Sequence, residues 1–137
     1  EMKFIAIIGV LVLIIIIGGF IFTSSGFYNV AATIPHSSLM EKLLSTISDR
    51  SVKHQAKGIS PPAYLNDPEI IKAGFIKYQN DSVGCHGTPM SYPGKIGKRL
   101  NPGPPKLWES AKELSAGEMY WVIKNGIKMT GMPYWLH

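Results

Sequence analysis

The sequence predicts a mainly α protein: a single N-terminal transmembrane helix followed by a small all-α domain. Three observations carry that fold class. Residues 4–22 hold no charged and no strongly polar side chain. Three later stretches set apolar residues at helical spacing behind a capping residue. No stretch beyond residue 23 alternates apolar and polar side chains as a half-buried strand does. The expected organisation is an anchor over 1–23, a membrane-proximal amphipathic helix and Pro-rich linker over 24–65, and a small helical domain over 66–137.

The apolar run has about the 20-residue length that a bilayer core requires. A signal peptide has a shorter apolar region, roughly 7–15 residues, ending at small residues. Phe27 and Tyr28 then stand where interfacial aromatics lie. Ser37 or Ser38 caps a helix whose apolar stripe is Leu39, Met40, Leu43, Leu44 and Ile47. Asp49, Arg50, Lys53, His54 and Lys57 make its polar end, and Gly58 is its stop. This helix either packs on its own domain or lies on a membrane or partner subunit.

Pro61-Pro62 marks a linker. Asn66 or Asp67 caps the next helix, with Pro68 and Glu69 in its first turn. Ile70, Ile71, Gly74, Phe75 and Tyr78 are its expected buried face, and it delivers the segment 82–86 at its end. Residues 87–107 are too rich in Gly and Pro for a regular element. Such a long loop is usually functional or wrapped around something. Ser115 and Glu118 form a capping box for a helix carrying Met119, Val122 and Ile123, which Gly126 closes. A second Gly-containing turn presents Met129 and Met132.

Beyond the apolar run the chain carries 13 Lys+Arg against 8 Asp+Glu, a net +5. That balance suits an acidic partner or an anionic membrane face, and it is too weak and too poor in Arg for nucleic acid. One cysteine excludes an intrachain disulfide and a zinc site of the multi-cysteine kind.

The chemistry-bearing residues are Cys85, His86 and Met132. Cys85-His86 is the second half of the C-x-x-C-H pattern that attaches a c-type haem. The first half has Ser82 in place of a cysteine. A thiol at Cys85 adds across a haem vinyl group, giving haem c with one thioether. His86 places a ring nitrogen under the iron, and its other nitrogen needs an acceptor, expected from a carbonyl near Pro102 or Pro104. Met132, between Gly131 and Pro133, is the expected second iron ligand, with Met129 as the alternative. Its soft sulfur favours ferrous iron and raises the potential. Filling both faces leaves no room for a small-molecule substrate, so the expected role is electron transfer and not enzyme catalysis. Trp108, Tyr120, Trp121, Tyr134 and Trp135 are candidates to pack around the porphyrin.

Residues 66–135 resemble a class I monohaem cytochrome c domain. The likeness lies in Ser82-Val83-Gly84-Cys85-His86-Gly87, in Leu100-Asn101-Pro102-Gly103-Pro104-Pro105-Lys106-Leu107, and above all in the run from Trp121 to Trp135 around Met132. Gly74 and Phe75 match the first helix of that fold. The resemblance implies a cytochrome c-like haem domain. With the N-terminal span it implies a membrane-anchored carrier that serves redox proteins or the subunits of a respiratory or photosynthetic complex. Thioether attachment takes place on the outer side of such membranes. The expected location is therefore single-pass in an inner or cytoplasmic membrane, with the haem domain on the periplasmic side. The positive-inside count, for which only Lys42 lies near enough, points weakly the other way. The chain departs from the family at Ser82 and stops before the family's C-terminal helix. A haem-free structural subunit derived from a cytochrome is the alternative reading.

Overall fold

The computed structural model describes residues 1–135. Its helices are α1 (Met2–Ser24), α2 (Ser38–Gln55), α3 (Pro68–Asp81), α4 (Val83–His86), α5 (Leu107–Glu113) and α6 (Ala116–Asn125). Among the described residues there is no strand, only an isolated antiparallel bridge between Thr88 and Ser91. The chain is mainly helical, as its pattern predicts. It divides into two compact units, Glu1–Ile34 and Pro35–His137.

The first unit is dominated by α1. At 23 residues and 1.5 Å per residue it is about 35 Å long, against about 30 Å of bilayer hydrocarbon. Its most apolar 18-residue stretch has a mean hydropathy of 3.2, and none of that stretch is buried. It is long and apolar enough to cross a membrane, and an N-terminal signal sequence shares that pattern. Near its end Phe22 meets Phe27 and Tyr28, ring centroids 6.4 and 6.5 Å apart. The Asn29 side chain accepts from Ala31 N at 2.9 Å and turns the chain.

In the second unit each helix start has a local cause. The Ser37 hydroxyl accepts from Met40 N at 3.4 Å to open α2. Asp67 accepts from Glu69 N at 2.8 Å to open α3, with Pro68 in its first turn. Ser115 and Glu118 form the reciprocal capping box of α6. The capping patterns at all three are legible in the sequence. Helix α5 is not: it follows Pro104-Pro105, its preceding residue Lys106 offers no side-chain cap, and it lasts only 7 residues. A Lys106–Glu109 ion pair of 3.1 Å ties its first turn.

Helix α2 packs against α6. Val52 and Ala56, the buried hydrophobic residues of the described chain, lie at the end of α2. Just beyond, the Ile59 backbone comes so close to Gly117 that a Cβ there would run into the Ile59 carbonyl. So α2, assigned by its sequence to a membrane-proximal segment, is part of the same compact unit as the residues after 66.

The expected buried face of α3 is open. Ile70, Ile71 and Phe75 are exposed and only Tyr78 is half-buried. The physical reason is what α3 packs against: chiefly the 3-10 turn Ala63–Asn66 and the short α4, neither of which covers that stripe. Between Gly87 and Lys106 the only helical piece among the described residues is the 3-10 turn Gly97–Arg99, which agrees with the density of Gly and Pro there.

Candidate functional site

The Cys-His pair rides on a single turn. The Ser82 carbonyl accepts from both Cys85 N (3.0 Å) and His86 N (2.9 Å), and Gly87 N reaches Val83 O at 2.8 Å. Ser82 precedes α4 without a side-chain capping bond. The turn is tied back to α3 where the Tyr78 hydroxyl donates to Gly87 O at 2.6 Å. Burial raises the Tyr78 pKa above its ordinary value, so the neutral, donating phenol is the favoured form.

The Pro-rich loop then folds onto this turn at three places. Gly94 N donates to Gly84 O at 2.9 Å. Gly97 abuts the Cys85 backbone, and a Cβ at 97 would collide with the Cys85 carbonyl. Most informative is His86, whose Nδ1 lies 2.8 Å from the Pro105 carbonyl oxygen. A carbonyl only accepts, so Nδ1 carries the proton and donates. In the neutral ring that leaves the Nε2 lone pair available, the tautomer a metal-bound histidine needs. The acceptor belongs to the loop the sequence points to, at Pro105, next to Pro104.

The same loop reaches the methionine turn. A Cβ at Gly131 would lie 2.5 Å from the Leu100 Cδ2, so Leu100 sits directly on that turn. The turn is closed by Thr130, whose hydroxyl donates to Ile127 O at 2.8 Å and accepts from Met132 N at 3.1 Å. The two candidate methionines differ. Met129 is 73% exposed, with φ 60, whereas Met132 is half-buried. The loop from Gly97 to Pro105 therefore joins Cys85 and His86 on one side to the Met132 turn on the other. Trp108, Trp121 and Trp135 are half-buried in this unit, while Tyr120 and Tyr134 are exposed.

The segment carrying the site is basic, with Lys106 paired to Glu109 just beyond it. Residues 82–108 contain Lys95, Lys98, Arg99 and Lys106 and no Asp or Glu. Among the described residues no three His, Cys, Asp or Glu side chains gather to hold a metal ion.

Three participants carry no sequence signal: Tyr78 as a hydrogen-bond donor, and Gly97 and Leu100 as contact points. Each acts across 9 or more residues of chain, as with Tyr78 and Gly87, and local pattern carries no signal for such pairs. Compared with protein-family models, curated proteins and solved structures, the chain matches none.

Proposed function

We propose that this chain is a membrane-anchored one-electron carrier with a cytochrome c-like domain, holding a single c-type haem through Cys85, His86 and Met132. The observation that carries the reading is the His86 Nδ1–Pro105 O hydrogen bond, 2.8 Å long. It leaves the Nε2 lone pair available to a metal, and the loop that carries Pro105 also touches the Met132 turn. The donor set is apt: imidazole nitrogen and thioether sulfur are both ligands that haem iron accepts. Bound haem supplies the redox step, iron passing between ferric and ferrous.

The chain's own residues do the rest. Cys85 would hold the group through a thioether, its S–H adding across a vinyl double bond, sulfur to one carbon and the proton to the other, with no oxidant required. Ser82 makes no second such bond, because an alcohol is a far poorer nucleophile than a thiolate. The Pro105 carbonyl holds the His86 ring in orientation. Met132 would supply a thioether ligand, whose soft sulfur favours the reduced iron. Lys95, Lys98, Arg99 and Lys106 favour an acidic redox partner, a protein or a subunit of a respiratory or photosynthetic complex. In this reading α1 is the anchor, single-pass in an inner or cytoplasmic membrane, and the haem domain lies on its outer side.

The alternative is a haem-free structural subunit, and Ser82 is the residue that favours it. A haem-stained denaturing gel of the natively purified chain, with its intact mass, decides between them. A stained band carrying one haem supports the carrier. A bare polypeptide mass together with a native visible spectrum lacking haem absorption overturns it in favour of the structural subunit.

A further inference from the structure

Helix α2 has two apolar lines, and only one is used by the fold. Leu44 and Ser48 are half-buried, Val52 is 5% and Ala56 8% exposed, and this line faces α6. Leu39, Leu43 and Ile47 form the second line, one turn apart, with Met40 beside it. They are 79%, 52% and 55% exposed. At 100° per residue the two lines run side by side about 100° apart, so the second line is turned away from the buried one. The outward line does not fade into polar residues. It continues into Arg50 and His54, with Lys53 on its flank, while Glu41 and Asp49 are turned more than a quarter-turn away from its centre.

We propose that the outward line of α2 rests on an anionic lipid surface, a second and peripheral membrane contact besides α1. The inference rests on α1 remaining in the chain as an anchor. Three features select lipid over a protein groove. A stripe of large aliphatic side chains that runs into cations is the pattern of a helix lying in the headgroup region. The acids on the same helix are excluded from that side, which suits negative headgroups. The connection from α1 is short: residues 25–37 span at most about 45 Å when fully extended, and their exposed Phe27 and Tyr28 are interfacial in type. A lipid surface is thus held within reach of α2 by the chain itself.

The test places p-benzoylphenylalanine in the full chain in its native membrane at Leu43, Ile47, Asp49 and Leu13, one site at a time, followed by photolysis and mass analysis. All of these side chains are outward, so the fold tolerates the probe. The expected result is lipid adducts at Leu43 and Ile47, several-fold above Asp49, and at Leu13 as well. Protein adducts or no adducts at Leu43 and Ile47 overturn the α2 proposal. If Leu13 still captures lipid, the anchor survives that failure. Absence of lipid adducts at Leu13 overturns the anchor itself. In reconstituted vesicles, adding phosphatidylglycerol to phosphatidylcholine raises the Leu43 adduct yield, and a yield indifferent to it removes the anionic preference.

Discussion

Met132 and Met129 stand three residues apart in one turn and differ in what holds them. The Met132 amide is fixed by the Thr130 hydroxyl at 3.1 Å, and its turn is wedged against Leu100. Met129 projects into solvent. In the haem-loaded protein Met132→Ala should therefore abolish the methionine–iron charge-transfer band of the oxidised state and lower the midpoint potential. Met129→Ala should change neither, and the reverse pattern would reassign the ligand. Tyr78 makes a second prediction at this scale. Its hydroxyl satisfies the buried Gly87 carbonyl, so Tyr78→Phe should cost about 1–3 kcal/mol in denaturant unfolding. Burial raises its pKa above 10.0, which makes the protonated phenol the form that folding selects. Its contribution is whole below pH 10 and is lost as pH rises through the higher folded value. Stability of the parent chain should thus fall more steeply than that of Tyr78→Phe over that alkaline range.

Helix α6 shows how much a single element owes to its cap. Ser115→Ala removes the hydroxyl that accepts from Glu118 N at 3.2 Å and should destabilise the unit by about 1 kcal/mol in chemical denaturation. The reciprocal partner titrates. Glu118 is held below its ordinary 4.5 first by the Ser115 amide, then by the Ser115 hydroxyl, with a minor contribution from Lys53. A lowered carboxyl pKa stabilises above the unfolded value and stops doing so as pH falls through the folded one. Glu118→Gln should therefore flatten the loss of stability below pH 4.5, measured by unfolding across the acid range. Helix α3 is the opposite case. Its start is capped as cleanly, yet Ile71 and Phe75 remain exposed, because a cap sets where a helix begins and not what covers it.

The second unit has a well-connected backbone and little core. Val52 and Ala56 are its buried hydrophobic residues, and no large side chain of the described chain is fully buried. Burial of apolar surface is the dominant favourable term in folding, so a unit with so little of it needs another source of stability. Under the proposed reading, a bound porphyrin would supply the missing apolar contact. Haem-free chain, made without the attachment machinery, should bind a hydrophobic dye, show weak near-ultraviolet dichroism and unfold without a sharp transition. Haem-loaded chain should unfold cooperatively at higher temperature. A sharp, dye-silent transition in the haem-free chain would count against the carrier and for the structural subunit.

The sequence by itself determined the starts of α2, α3 and α6 to within a residue, because capping is a matter of residues two or three positions apart: Ser37, Asp67 and Ser115 each accept from a nearby amide. It likewise determined the 23-residue apolar helix and the irregular loop, since continuous apolarity and dense Gly and Pro act locally. It singled out Cys85, His86 and Met132 by type and order. Only the tertiary structure decided that His86 donates to Pro105, that Leu100 joins the loop to Gly131, that α2 packs on α6 and that one face of α3 stays open. Those outcomes depend on loop closure and on which surfaces meet, and a contact between residues 19 or 31 positions apart leaves no periodic trace in the chain.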